Sequence, residues 1–151
     1  MSLRDRRVYA ADWFMRAAAM PCSLILAAVV VNESPDSVAG FLLYLLVIVA
    51  GPAVIAGAWG AALGEAILDP AVTRGAGQAT LKGLAVSGAS FLTYIFVVSF
   101  GVAGLGFNNG DDLLKLFMLL LVYGSIMVGW LVAAVGALAG GLLYMRQEEP
   151  N

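Results

Sequence analysis

The chain has no histidine among its 151 residues. That absence removes the usual proton shuttle, the commonest zinc ligand and the usual axial ligand of haem. There is a single cysteine, Cys22, so no intrachain disulfide forms. Cys22 lies inside an apolar run and reads as a small packing residue rather than an acylation or redox site. Charge is also scarce. Asp, Glu, Lys and Arg make up 12% of the chain and apolar residues 62%, against about 25% and about 45–50% in a soluble domain. Mean hydropathy is +0.93. A chain of this composition cannot cover a water-facing surface with polar groups, so its solvent is lipid. The net charge of −2 leaves no electrostatic footprint for nucleic acid. Arg4, Arg6 and Arg7 stand beside an apolar run, where they act as a topology signal. No cofactor or metal motif is present.

What the sequence does contain is four long apolar runs, at about residues 13–31, 38–64, 83–107 and 116–145. Crossing about 30 Å of hydrocarbon takes about 20 apolar residues. The expected fold is therefore an all-α membrane protein: a four-transmembrane-helix bundle forming one domain over residues 1–151. The first run meets the length only with its flanks, which carry Asp12 and Arg16. Leu26-Ala27-Ala28 loosely resembles a signal-peptidase site, but the basic region before it is long, and the run is read as a retained span. With the N-terminus inside, Arg4, Arg6, Arg7, Arg16, Arg74, Lys82 and Arg146 are internal and only Lys115 is external. This bias places both termini in the cytoplasm. The Ala/Gly-rich text and short loops suit a bacterial inner membrane.

The connections carry turn chemistry. Ser34 is expected to cap the second helix with Pro35 at its first position. Asn108-Asn109-Gly110 reads as a turn, with Asp111 or Asp112 capping the fourth helix. Residues 65–82 hold Asp69-Pro70 and Gly75-Ala76-Gly77, which suggests a loop or a broken interfacial helix. Gly51-Pro52 falls mid-span and should bend the second helix.

Shifting the chain by 76 residues gives eight identities over thirty-three positions, including Gly60 on Gly136 and Gly64 on Gly140. Chance in such a composition gives about four. Ala53, Gly57, Gly60 and Gly64 form a small-residue ridge on the second helix, and Gly129, Ala133, Gly136 and Gly140 form one on the fourth. Small residues on one helix face let backbones approach closely in lipid. One reading makes the second and fourth helices the central pair of a parallel two-hairpin repeat. The other is that glycine is simply frequent in membrane helices.

Ser87, Ser90 and Tyr94 continue a polar stripe on the third helix. They line a narrow hydrophilic path or, the reading favoured here, bond between helices. Asp12 and Arg16 are four apart, and Arg16 is placed to pair with Asp12 and with Glu65 at the inner interface. No Asp, Glu, Lys or Arg falls in the middle of a span, which argues against proton coupling. The stretch Gly64-Glu65-Ala66-Ile67-Leu68-Asp69-Pro70, with Val97-Val98-Ser99-Phe100 later, resembles the inner hairpin of rotary-ATPase proteolipid subunits. That family needs a carboxylate midway along the following helix, and Ala89-Ser90-Phe91 stands there instead. The resemblance covers only the central hairpin, and its function is not carried over. The expected function is non-catalytic: an accessory or assembly subunit of a membrane complex, or a homo-oligomer packed through small-residue faces. The alternative is a small channel or uncoupled transporter for a neutral solute. The expected partners are the lipid bilayer and another membrane protein or a second copy.

Overall fold

The computed structural model describes residues 2–33, 35, 37–103 and 110–148. Among them there is no strand, and four helices are long and apolar enough to cross a membrane. This is compatible with an integral membrane protein.

Helix α1 runs Leu3–Glu33, well ahead of the expected start at residue 13. A reciprocal cap explains the early start. Ser2 Oγ accepts from the Asp5 N–H at 3.2 Å, while the Asp5 carboxylate accepts from the Ser2 N–H at 3.1 Å, so two end donors are satisfied together. At 1.5 Å per residue the helix is about 46 Å long. It outreaches a bilayer core, and its first turns pack on the connection after the second helix.

Helix α2 is continuous over Val38–Ile67 but changes pitch. It is α over Val38–Tyr44, π over Leu45–Ala50, α over Gly51–Leu63 and 3-10 over Gly64–Ile67. Its cap is Ser37, whose Oγ accepts from the Gly40 N–H at 3.1 Å. The expected cap, Ser34, lies outside the described residues. Pro35 precedes the helix and does not occupy its first turn. The π turn sits immediately before Gly51-Pro52, where a helix that has lost an N–H donor must change its ladder.

Helix α3 covers Ala76–Ala103, seven residues earlier at its start than expected from hydropathy (residue 83). Helix α4 consists of Gly110–Gly124, a π turn at Ser125–Gly129, and Trp130–Glu148. Asp111 and Asp112 lie on the described helix backbone, but the capping expected of their side chains lies outside what is described. Asn108 and Asn109 lie outside the described residues.

Neighbours in sequence are neighbours in space. Helix α1 packs along α2, α3 packs along α4, α2 meets α3, and α1 meets α4. Contact between α2 and α4 is slight, concentrated where the Gly64–Ile67 turn reaches α4. The expected central α2–α4 pair is not formed. Most of the core lies at the end of the bundle that holds both termini, where Ala10, Phe14, Ile67, Leu68, Ala79 and Leu143 are buried together. At the opposite end, Gly110–Gly124 leans on α3, with no comparable packing against α1 or α2.

Candidate functional site

The glycine ridges are used inside each hairpin. A Cβ on Gly60 would lie 2.9 Å from Ala10 O and 3.0 Å from Phe14 Cβ, and one on Gly64 would meet the Phe14 ring at 3.0 Å. Gly57 faces Met15 and Ala11 in the same way, and Ala53 is buried one turn further along. Thus the α2 ridge receives α1, not α4. On α4, a Cβ at Gly136 would collide with Ser87, and one at Gly140 with Ala79 O and Gly83. The α3 face presented there is Ala79, Gly83 and Ser87, four residues apart, which is the spacing that brings small residues onto one side of a helix. Gly129 and Ala133 do not extend this seam. A Cβ at Gly129 would meet only its own helix, 3.5 Å from Ser125 Cβ, and Ala133 is half-buried.

The polar stripe on α3 is engaged by backbone. Ser87 Oγ donates to Leu84 O at 3.0 Å and Ser90 Oγ to Val86 O at 2.7 Å, both on their own helix. Tyr94 donates its hydroxyl to Val47 O at 2.6 Å on α2. The last bond follows from Pro52. In the π register the N–H five residues on closes each turn, as Gly51 does to Leu46 O. Residue 52 should then bond Val47 O, but proline has no N–H. Tyr94 supplies the missing donor from the neighbouring helix, the means by which a membrane helix tolerates proline. Its ring also lies 3.4 Å from where a Gly51 side chain would begin. Trp59 Nε1 donates to Thr93 Oγ1 at 3.0 Å, a second α2–α3 tie.

Polar side chains gather at the terminal end. Arg16 pairs with Asp12 at 2.9 Å, one turn away and largely exposed. Glu65 does not join them; it takes Arg7 through two guanidinium nitrogens, and Asp69 takes Arg6 at 3.3 Å. Lys82 reaches across the connection, donating to Ala66 O at 3.0 Å, Val72 O at 3.2 Å and Thr73 Oγ1. It supplies a donor to Val72 O and a second donor to Ala66 O, which also accepts from Thr73 Oγ1. Trp13 Nε1 donates to Ala139 O at 2.9 Å, and the Arg146 guanidinium lies 5.3 Å from the Trp13 ring centre. No group of three potential metal ligands occurs among the described residues.

Where α2 and α4 were expected to touch, the four helices instead surround a cavity of about 330 Å³. Its wall includes Phe14 and Pro21 of α1, Pro52 of α2, Ser90 and Tyr94 of α3, and Val132 of α4. Almost all of the lining is apolar. Among the described residues no buried side-chain nitrogen or oxygen lacks a hydrogen-bond partner, so the wall offers few free groups to water. The space is partly open to the outside of the bundle, so it is a recess between the helices rather than a sealed void.

The ridges, the α3 stripe and the Asp12–Arg16 pair are visible in the sequence as residues; the cavity and the Arg7, Lys82, Thr73 and Trp13 contacts are not. An unpaired Pro52 in mid-span was the one available signal for the Tyr94 bond. The chain matches no known protein family, curated protein or solved structure.

Proposed function

We propose that the chain is a non-catalytic integral membrane protein that acts through association, as an accessory or assembly subunit of a membrane complex or as a homo-oligomer. The observation that carries this reading is the engagement of the span interiors. Their hydroxyls and indoles bond helix backbone or one another, and no ionisable Asp, Glu, Lys or Arg falls mid-span. Ion- and proton-coupled devices rely on such groups. Because Gly57, Gly60 and Gly64 of α2 and Gly136 and Gly140 of α4 are occupied within the hairpins, a partner would meet the outward faces. These are broad and apolar, with Met127 71% and Trp130 66% exposed on α4. The clustering of basic residues at the end that holds the termini supports a cytoplasmic side for them, and the Ala/Gly-rich text and short loops support a bacterial inner membrane. A parallel two-hairpin repeat is supported by the paired seams at Gly60/Gly64 and Gly136/Gly140.

The competing reading is a channel or uncoupled transporter for a neutral solute, and the cavity is what favours it. A hydrophilic path would require free hydroxyls, whereas Ser87, Ser90 and Tyr94 already donate to carbonyls. The two readings separate in one pair of assays. Proteoliposomes holding the purified chain should be silent to a panel of neutral solutes. Lipid nanodiscs cut directly from membranes should carry the chain with a second protein or a second copy. Solute flux that Ser90→Ala or Tyr94→Phe alters would reverse the assignment.

A further inference from the structure

We propose that the central cavity is a lipid site, which takes one acyl chain of a bilayer phospholipid admitted sideways between α1 and α4. The inference depends on the chain spanning a bilayer but not on its acting through association. Four observations converge. The first is the lining, which is almost wholly apolar, while its hydroxyls donate to Leu84 O, Val86 O and Val47 O. A bound water needs two to four polar partners, and an apolar cavity without them stays dry. The second is size: about 330 Å³ lies in the range of about 300–1,000 Å³ typical of small-ligand pockets.

The third observation is a route. A groove of about 260 Å³ runs along the outer side of the α1–α4 seam, between Met20 and Leu24 of α1 and Leu138 and Leu142 of α4. It shares Ala17, Pro21, Val135 and Ala139 with the cavity. The partition between them is thus two alanines, a valine and a proline, and Pro21 cannot donate to the helical ladder. The α1–α4 seam is tied at the terminal end by the Trp13–Ala139 bond. Farther along, Gly110–Gly124 leans on α3 instead, with no comparable packing against α1, so the seam is weakly closed there. The fourth observation is charge. At the terminal end of the groove the Arg146 guanidinium lies over Trp13, with Arg16 nearby in sequence, one turn along α1 and held by Asp12. A cation on an interfacial aromatic suits a lipid phosphate whose chain runs along the groove toward the cavity.

The test is photolabelling of the full chain in vesicles of phosphatidylglycerol and phosphatidylethanolamine, with a phospholipid carrying a diazirine midway along one acyl chain. Labelled residues are identified by mass spectrometry. Met20 and Leu24 face outward and should label in every variant, which checks the bilayer setting separately. Labels on cavity residues such as Ser90 and Val132 are expected in the native chain. They should fall at least tenfold in Ala18→Phe, which fills the cavity from α1, and in Val135→Phe, which thickens the partition. The groove-side control Leu138→Phe should retain them. Outward labels alone in the native chain would overturn the proposal. So would cavity labels that survive both Ala18→Phe and Val135→Phe while outward labelling and thermal melting remain native. An absence of labels everywhere would remove the bilayer setting and the proposal with it.

Discussion

Replacing Gly83 by alanine tests the packing most sharply, because what a methyl group meets there is backbone. A Cβ at Gly83 collides with Gly136 O and falls 2.7 Å from Gly140 Cα and 2.8 Å from Gly140 N. Ordinary contact begins near 3.4 Å, and no side chain can rotate aside, so α3 and α4 must separate by about 1 Å. A radial gap of about 0.5–1 Å forfeits about a quarter to a half of a dispersion contact, and this loss extends along the seam to Ala79, Ser87 and Leu143. The expected cost is roughly 3 kcal/mol, the upper end of the range for overpacking. Gly88 is the matched control on the same helix. A Cβ there meets nothing within 4 Å, so Gly88→Ala should stabilise by about 0.5–1 kcal/mol through backbone entropy. Equilibrium unfolding in mixed micelles, followed by tryptophan fluorescence, measures both. Equal stability of the two variants would refute the α3–α4 seam.

Further outcomes follow from the same geometry. Tyr94→Phe leaves Val47 O without its donor and should cost about 0.6–1.7 kcal/mol. Most of that cost should vanish in the Pro52→Ala background, where an N–H returns, and a double-mutant cycle with zero coupling would show that the two residues are independent. Lys82→Met leaves two carbonyls and Thr73 without its ammonium; an expected loss of about 1–3 kcal/mol should come with faster proteolysis around Asp69–Arg74, and unchanged cleavage would contradict the bridging role. Glu65→Gln removes one charge of an ion pair open to solvent, so its effect on melting should be small and should shrink further in high salt. A large salt-independent loss would mean that Glu65 does something other than pair with Arg7.

The spans were legible because lipid imposes a length that hydropathy reports directly. Their ends were less so. The segment 3–12 is helical because Ser2 and Asp5 cap it and because it packs on the turn after Leu63, a contact between residues such as Arg7 and Glu65 that lie 58 apart in sequence. The Asp12–Arg16 pair was readable since it is local to one helix turn. The glycine ridges announced that some helix approaches closely, but periodicity carries no information about which one. Short connections placed α1 on α2 and α3 on α4, and the centre that two ridges suggested became a cavity instead. Ser87, Ser90 and Tyr94 were visible as a polar stripe. Their direction was not, because a hydroxyl can turn to its own helix backbone as readily as to a path.

Native mass spectrometry of lipid nanodiscs extracted gently from membranes tests the proposed associative role most directly, since one spectrum counts protein chains and retained lipids together. A defined oligomer, or the chain with a fixed partner, is the result expected of a non-catalytic subunit. A monomer without partner under several mild extractions, from membranes in which the chain is abundant, would contradict it.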